Sequence, residues 1–520
     1  MTRPSALAAG ITAGGLALIL FAATCARGLE WQDSGFHQYR ILTGQLEHPL
    51  GLALAHPLHW WLGRGMLALP LGDPAVRINL LSSISGATAV GALAALVVLL
   101  TRSRWAAYLA GATLALAHSF WQMSATTETY TLAAAMMTVE WLLLWRFARG
   151  GRPAWLVAVF FVNGLHVADH MLGTLTLATY GVLLLERVVR GRVGAKWLPA
   201  CAVAWLVGAT PYLVLVADFY HQTGDLARTL RSALFGGGVG TTGWAAAVLN
   251  VEVGARQLLM AALVLGYCFP SLALPTAAAG LLRRTRGRGR LLAWVLTAQT
   301  LVVTAFVVRY NIKDVYTYFV PVCVLVALWA GVGVRALRPS TRRWISRPAL
   351  HRVLALGAAL PIVVYLAFPP IAQRQGWLAS QMRPLPFRNA YTHFLRPWRH
   401  LDDSAERMAR AALEDAGPGG WIIADSNPAP LIAAAATLRG APDGVRVFFT
   451  LTRACLFPLG GELLSEEMLA AHLGRGGRVI AVASREVESL VPPGVEIIRS
   501  EPFWQLLARP ATSEAGQRPE

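Results

Sequence analysis

The chain has 520 residues, of which 55% are hydrophobic and only 14% are charged, and its mean hydropathy is +0.48. This composition excludes a soluble globular chain and a disordered chain, and it indicates a multi-span membrane protein. The formal net charge is +18, but the arginines lie in short clusters between apolar runs. That pattern orients membrane spans and does not indicate a nucleic-acid partner.

Apolar runs long enough to cross about 30 Å of hydrocarbon recur through residues 1–370. We predict about eleven transmembrane helices, and their centres fall at Gly15, Ala89, Leu114, Met136, Val159, Ala178, Leu206, Val264, Leu296, Val324 and Ala359. The first run is interpreted as a retained span, since Arg3 alone precedes it and the sequence near Cys25 is a poor cleavage site.

Arginine clusters occupy every second connection between these runs, which predicts that those connections are cytoplasmic. They are residues 102–104, 146–152, 187–196, 283–290 and 335–352. The alternate connections are rich in acidic, histidine and aromatic residues, at 30–73, 124–130, 163–170, 218–252 and 309–318. We expect the latter to share the periplasmic face of a bacterial inner membrane with everything that follows the last span.

The sequence changes character after about Pro370, where short β-rich runs alternate with helical runs. Strands are predicted at 421–424, 445–450, 478–483 and 496–498, and helices at 428–438 and 465–473. We therefore predict a soluble, periplasmic α/β domain over residues 371–520. No glycine-rich phosphate loop follows its first strand, so it is interpreted as an accessory domain and not as a nucleotide site.

The first predicted periplasmic loop, residues 28–75, concentrates the groups that are suited to chemistry. Asp33 follows the first span directly, and its polar neighbours are Glu30, His37, Arg40, Glu47 and His48. A carboxylate at the membrane face beside cationic groups fits a site for a phosphorylated lipid. From local sequence alone, Asp33 is equally well explained as the cap of a helix that starts near Ser34.

Further candidate residues lie in the other predicted periplasmic connections. They are Glu128, Tyr130, His166, Asp169, His170, Asn311, Asp314 and Tyr318, with Lys313 beside Asp314. Glu128 is also placed to act on a helix dipole. His166 and His170, four residues apart, would suit a metal on one helical face, but structural hydrogen bonding is favoured because no glutamate-containing motif accompanies them. Glu140 lies inside a span and must be either paired or functional.

Four blocks of sequence carry a resemblance to a known family: 33–35 with 48–51, 118–132, 164–170 and 310–321. They resemble a family filed as domain of unknown function 2723, which is similar to the GT-C superfold of membrane glycosyltransferases and includes a eukaryotic protein O-mannosyltransferase. The resemblance implies an enzyme that uses a polyprenyl-phosphate sugar and has a catalytic aspartate in its first extracytoplasmic loop. Asp33 is the matching position.

The chain departs from the family pattern at two positions. The family usually has a glutamate after Asp-Ser-Gly and two prolines after the histidine, whereas this chain has Phe36 and Leu50. The first change removes a carboxylate that would share metal or base duties. Glu30, Glu47 or Glu128 would then substitute, or the substrate or the activity has changed. A divalent metal ion is left open, and no other cofactor is predicted.

The expected fold is an α-helical polytopic membrane protein of the GT-C type with a C-terminal α/β domain. The expected activity is transfer of mannose or another hexose from polyprenyl phosphate to a periplasmic acceptor, either a protein Ser/Thr hydroxyl or a cell-envelope glycan. Asp33 would act as the base of an inverting displacement, and Arg40, His48 and Arg309 would bind the lipid phosphate. A polyprenyl-lipid flippase and a catalytically inactive membrane scaffold are the alternatives.

Overall fold

The computed structural model describes residues 5–237, 243–282, 290–312, 314–334, 347–382, 385–459, 462–483 and 495–508. The chain divides into two compact units. We call the first the helical unit, and it comprises Met1–Arg27, Gln45–Leu378 and Tyr391–Asp402. We call the second the α/β unit, and it comprises Gly28–Gly44, Ala379–Ala390 and Asp403–Glu520.

The α-helices in the described part of the chain are α1 (Ala6–Thr24), α2 (Gln32–Thr43), α3 (Pro57–Leu67), α4 (Pro74–Thr101), α5 (Arg104–Ala115), α6 (His118–Ser124), α7 (Tyr130–Gly150), α8 (Ala154–Asp169), α9 (Gly173–Val189), α10 (Trp197–Thr223), α11 (Leu226–Phe235), α12 (Ala245–Leu249), α13 (Ala255–Cys268), α14 (Ala273–Leu281), α15 (Arg290–Arg309), α16 (Val320–Gly333), α17 (Arg347–Arg374), α18 (Ala390–Leu395), α19 (Ser404–Ala416), α20 (Pro428–Arg439) and α21 (Glu466–Gly474). The strands are β1 (Trp421–Ala424), β2 (Arg446–Phe449), β3 (Cys455–Phe457), β4 (Val479–Val482), β5 (Val495–Ser500) and β6 (Phe503–Ala508).

Six helices among the described residues are long and apolar enough to cross a membrane, namely α1, α4, α7, α10, α15 and α17. A seventh crossing results if α13 and α14, bent by 109°, form one broken span. Each predicted span centre lies in a helix, but α5, α8, α9 and α16 have 12, 16, 17 and 14 residues. These four helices are shorter than the ~20 residues of a full crossing. The chain is thus a multi-pass membrane protein with six or seven clear spans.

The close approach of α8 to α10 depends on two glycines. A Cβ on Gly164 would meet the backbone of α10, and a Cβ on Gly208 would meet the backbone of α8. The two helix backbones therefore touch, which small residues permit in membrane helices. The connection predicted over 163–170 is mostly helical, since α8 ends at Asp169 and α9 begins at Gly173. We call α8 and α9, with residues 170–172 between them, the α8–α9 hairpin.

The α/β unit contains a mixed sheet with the strand order β3-β2-β1-β4-β6-β5. Its centre is parallel, because β1 pairs in parallel with both β2 and β4. The flanking strands β3, β6 and β5 pair antiparallel to their neighbours. Strands β1, β2, β4 and β5 coincide with the predicted ones, and so do helices α20 and α21. Strands β3 and β6 and helix α19 were not predicted.

Helix α2, which follows the first span, packs inside the α/β unit. The ring of Phe36 lies 5.8 Å from the ring of Phe449 on β2. The hydroxyl of Tyr39 donates a hydrogen bond of 2.8 Å to the carbonyl of Leu456 on β3. Residues 28–44 of the first loop and the C-terminal segment therefore fold together.

Candidate functional site

Asp33 lies in the first turn of α2 and is exposed. A carboxylate in that position is stabilised by the positive end of the helix dipole. The N-cap residue of α2 is Trp31, which makes no side-chain capping bond. Asp33 is therefore not the N-cap, and the capping explanation for this residue is wrong because the helix begins two residues before Ser34.

The backbone directly before Asp33 is strained. Gln32 has a φ of 58°, a conformation that a long side chain adopts at a cost of about 1–2 kcal/mol. The indole of Trp31 donates to Ser404 Oγ at 3.0 Å, and Arg388 lies 5.0 Å from the centre of the Trp31 ring. Strain of this kind clusters at functional sites, where the surroundings hold it in place.

Gly35, the glycine of the Asp-Ser-Gly motif, lies where the surrounding atoms leave no room for a side chain. A Cβ on Gly35 would overlap the carbonyl oxygen of Glu30 and would lie 3.5 Å from the Cβ of Leu431. Phe36, which replaces the family's glutamate, is buried against Phe449 and belongs to the packing of the α/β unit. Position 36 faces protein interior in this chain, so a carboxylate there would be desolvated.

The other predicted residues near Asp33 in the α/β unit are buried. They are Glu30, His37 and Arg40. Burial lowers the pKa of Arg40 to about 9, so its guanidinium stays charged at neutral pH. Arg40 follows Asp33 by seven residues and shares its helical face, about 10 Å further along the axis.

Five rings in the helical unit form what we call the Tyr–His cluster. The ring of Tyr130 lies 5.1 Å from His170 and 5.3 Å from Tyr318. His56 lies 5.0 Å from His170, and Tyr310 lies 4.6 Å from Tyr318. These residues come from four of the connections that the sequence placed on one face. Their contacts bring those four connections together at one end of the helical unit.

Asp169 adjoins this cluster and is fully buried, with an exposed fraction of 0%. His56 Nδ1 donates to its backbone carbonyl at 2.6 Å. Neither carboxylate oxygen of Asp169 has a hydrogen-bond partner in the part of the chain that the structure describes. A buried carboxyl group without donors is costly, and natural proteins keep such groups mainly for function.

His166 and His170 have separate partners. His166 Nδ1 lies 2.9 Å from Glu140 Oε1, whereas His170 Nδ1 accepts from the amide of Leu172 at 3.1 Å. They therefore do not form a metal pair. No group of three His, Cys, Asp or Glu side chains suited to a metal ion occurs among the described residues.

Glu128 lies buried at the start of α7, next to Tyr130 in sequence. Its amide donates to Ser82 Oγ at 2.9 Å, and the same hydroxyl donates to the Glu128 carbonyl at 3.0 Å. Ser82 on α4 thus fixes the backbone that leads into the Tyr–His cluster.

Arg309 is engaged by backbone carbonyls. Its Nη1 donates to the carbonyl of Val248 at 2.7 Å and also to the carbonyl of Asn250. The guanidinium lies 5.0 Å from the ring centre of Phe306. These contacts fasten the segment around Asn250 and favour a structural role for Arg309.

His48 has a local partner that explains the second departure from the family pattern. Its Nδ1 accepts from the amide of Leu50 at 3.1 Å, a donor that proline lacks. Glu47 is exposed, and its Oε1 lies 3.4 Å from Gln222 Nε2.

Asn311 is exposed. The carbonyl of Asp314 accepts from the amide of Thr317 at 3.2 Å and from its hydroxyl at 2.9 Å. Asp314 therefore shapes the turn that leads to Tyr318. Lys313 lies outside the described residues.

Sequence reasoning missed His56 and Tyr310. His56 begins a His-Pro-Leu triplet that repeats the triplet at 48–50, and this repeat could have identified it. It has a φ of 47° at the N-cap of α3, and histidine is enriched in that conformation. Tyr310 lies within a block quoted for the family resemblance, where the neighbouring polar residues drew more attention.

A family model described as the "Protein O-mannosyl-transferase TMEM260 N-terminal domain" matches residues 33–191. The match begins at Asp33 and ends just after α9, and it includes Tyr130, Asp169 and His170. Its description is that of an O-mannosyltransferase and not a domain of unknown function. No curated protein sequence matches the chain.

The fold is similar to that of ArnT from Cupriavidus metallidurans. The crystal structure of its apo state has a TM-score of 0.60 and 14% identity, covering 96% of this chain and 97% of that chain. The crystal structure bound to undecaprenyl phosphate has a TM-score of 0.57 and 14% identity, covering 96% and 98%. This likeness shows that the chain has the ArnT fold over nearly its whole length.

Proposed function

We propose that this protein is an integral membrane glycosyltransferase of the GT-C type. It transfers a hexose, with mannose as the leading choice, from a polyprenyl-phosphate carrier to a hydroxyl acceptor. The leading acceptor is a Ser or Thr hydroxyl of a periplasmic protein, followed by a cell-envelope glycan. The observation that carries the proposal is Asp33, which is exposed at the strained start of α2 where the O-mannosyltransferase match begins.

In the proposed reaction Asp33 accepts the proton of the acceptor hydroxyl. The acceptor oxygen then bonds to C1 of the sugar, while the bond from C1 to the phosphate oxygen breaks and the phosphate leaves with the electron pair. One direct displacement inverts the anomeric centre. A well-placed general base contributes roughly 10²- to 10⁴-fold to the rate.

The carrier phosphate and the sugar need hydrogen-bond donors, and the proposal assigns this role to side chains of the Tyr–His cluster in the helical unit. Arg40, His48 and Arg309 are the cations first proposed for the phosphate, but His48 and Arg309 are engaged by backbone groups. Tyr130 and His170 are therefore added as donors to the phosphate or to sugar hydroxyls. Asp169 is proposed to accept a hydrogen bond from a sugar hydroxyl. That hydroxyl would be the donor that the buried carboxyl group otherwise lacks among the described residues.

The proposal includes the membrane topology. The ends of the bundle that carry the Tyr–His cluster face the periplasm of a bacterial inner membrane, and the arginine-rich connections face the cytoplasm. Eleven crossings are retained in this proposal, with the short helices α5, α8, α9 and α16 as tilted or partial spans. Residues 1–370 form the catalytic membrane region, and the segment after them is periplasmic.

The test uses purified protein in lipid vesicles with radiolabelled polyprenyl-phosphate mannose and an extract of periplasmic acceptors. Wild-type protein is expected to transfer label, and Asp33→Asn to reduce transfer at least about 10²-fold. Asp73→Asn is the matched control, because Asp73 caps α4 through a bond from the Ala75 amide at 2.8 Å and asparagine caps equally well.

Three outcomes would contradict the proposal. Undiminished transfer by folded Asp33→Asn protein would show that the base is another group. Movement of intact lipid between leaflets without cleavage would identify a flippase. Absence of transfer by well-folded wild-type protein to any fraction of the extract would support an inactive scaffold.

A further inference from the structure

Glu140 is a carboxylate inside the membrane-spanning helix α7, with an exposed fraction of 0%. It accepts hydrogen bonds from the Tyr180 hydroxyl at 2.9 Å, from Asn163 Nδ2 at 3.2 Å and from His166 Nδ1 at 2.9 Å. A carboxylate in apolar surroundings persists only when it is paired and hydrogen-bonded. These three donors explain how Glu140 is accommodated.

The donors come from both arms of the α8–α9 hairpin. Asn163 and His166 lie on α8, and Tyr180 lies on α9. The amide of Asn163 also donates to the carbonyl of Gly173, the first residue of α9, at 3.0 Å. Glu140 therefore ties both arms of the hairpin to α7 through one carboxylate.

His166 connects this carboxylate to the proposed site. It precedes Asp169 by three residues, and its carbonyl accepts from the amide of His170 at 2.7 Å. The turn that carries Asp169 and His170 thus continues directly from the helical turn that Glu140 holds.

His166 also lines a small cavity. The other lining residues are Tyr130, Ala133, Ala134, Met137, Leu172, Leu175, Thr176, Val303 and Pro321. Most of this wall is apolar. Within this wall, the contact of His166 Nδ1 with Glu140 Oε1 at 2.9 Å fixes the orientation of the ring.

We propose that Glu140 is a positioning residue of the site. Through His166 it holds the turn that carries Asp169 and His170, and so keeps the His170 ring against Tyr130. This inference rests on the proposed function, because that function assigns Asp169 and His170 to the carrier phosphate or the sugar.

The test compares Glu140→Gln with Trp141→Phe. Trp141 is the next residue of α7, is equally buried, and donates from Nε1 to Gln299 Oε1 at 2.6 Å. The control therefore also removes one buried hydrogen bond from α7, but it leaves the three donors on Glu140 in place. Glutamine offers a single acceptor oxygen to three donors, so Glu140→Gln disrupts that contact.

Two readouts are taken on the full-length protein in lipid. Amide hydrogen exchange over 166–174 is expected to rise about tenfold or more in Glu140→Gln and to stay unchanged in Trp141→Phe. With polyprenyl-phosphate mannose as donor, kcat is expected to fall about 10- to 100-fold in Glu140→Gln at a KM within about threefold of wild type. Trp141→Phe should keep both constants.

Tyr180→Phe serves as the second variant if Glu140→Gln fails to fold, because it deletes only the hydroxyl that reaches Glu140 Oε2. It is expected to raise exchange over 166–174 and to lower kcat by a smaller factor. Unchanged exchange in this segment, or equal losses in Trp141→Phe, would overturn the positioning role. A change of exchange confined to the hairpin variants, in a protein that transfers no label, would overturn the proposed function and support the positioning role.

Discussion

The hydroxyl of Tyr39 bonds to the backbone carbonyl of Leu456, across 417 positions of sequence, and the bond is buried. It attaches α2 to strand β3 at a point two turns after Asp33. The orientation of the proposed catalytic helix therefore depends on the edge of a sheet in the C-terminal segment.

Replacing Tyr39 by phenylalanine removes this bond and leaves a buried carbonyl without its donor. We expect the free energy of unfolding to fall by about 1–2 kcal/mol and amide exchange over α2 to increase. Tyr220→Phe is the control, since Tyr220 is 41% exposed and its loss of a hydroxyl should change neither quantity. Unaltered exchange in α2 would mean that other contacts alone hold the helix.

Restoring the family's carboxylate at position 36 should harm the protein. Phe36→Glu places an acidic group against Phe449, and we expect a loss of about 3–5 kcal/mol in stability. Phe36→Leu keeps an apolar side chain at this position and should cost less than half as much. Thermal unfolding of the two variants decides the matter, and equal melting temperatures for Phe36→Glu and wild type would show that position 36 is open to solvent.

Gly35→Ala should destabilise the start of α2, because the new methyl group would overlap the Glu30 carbonyl. We expect a loss of about 1–3 kcal/mol together with reduced transfer activity. Gly65→Ala is the matched control, as a Cβ there meets no atom within 4 Å in helix α3, and alanine should stabilise that helix by about 0.5–1 kcal/mol. Denaturant unfolding of both variants would refute the expectation if Gly35→Ala were the more stable.

Asp169→Asn should lower the transfer activity with little change in the stability. Its carboxyl group lacks donors among the described residues, so replacing it by an amide of the same shape should change the stability by no more than about 1 kcal/mol. Transfer should nevertheless fall, because asparagine has one acceptor oxygen where the carboxyl group has two, and its oxygen is a weaker acceptor than a carboxylate oxygen. Asp225→Ala provides the contrast, since Asp225 caps α11 by accepting from the Arg228 amide at 2.9 Å and its loss should cost about 1 kcal/mol. A less stable Asp169→Asn protein with full transfer activity would show that Asp169 has a structural role and does not bind the sugar.

His472 should make the stability depend on pH. Its ring stacks on Trp421 at 4.0 Å, and burial, with a smaller contribution from the Arg475 charge, lowers the pKa of His472 below its usual 6.5. The unfolded chain then binds a proton more readily than the folded chain, so the contribution is fully present above about pH 6.5 and is lost as the pH falls towards the folded-state pKa. Melting temperatures from pH 7.5 to 5 should fall less steeply for His472→Leu than for wild type, and identical slopes would contradict this role.

The sequence predicted those parts of the fold that depend on local pattern. The centre of every span that was predicted from an apolar run lies within a helix of the structure. The β-rich runs predicted β1, β2, β4 and β5. Strand β3 has three residues, too few for a distinctive local pattern. Strand β6 forms a hairpin with β5, two residues before it, and its apolar and aromatic run could have predicted it. The packing of α2 within the α/β unit depends on contacts between distant residues, which periodicity does not report.

Only part of the candidate site was predicted, because the sequence shows local pattern and not contacts between distant residues. Tyr130, His170 and Tyr318 were selected because they follow or precede apolar runs on one expected face, and their rings do meet. Phe36 was interpreted as a lost functional group, but its burial against Phe449 is visible only in three dimensions. Arg309 was selected for its charge, and its bonds to backbone carbonyls could not be read from composition.

The α/β unit is assembled from Gly28–Gly44, Ala379–Ala390 and Asp403–Glu520, and this has a consequence during translation. The ribosome releases α2 long before β2 and β3 exist, so most of the membrane spans are made while this helix still lacks its neighbours. Domains generally fold as units once their segments have emerged. A nascent chain therefore carries Asp33 on an undocked helix until β2 and β3 have been made, and the proposed catalytic helix takes its place only after most of the membrane spans.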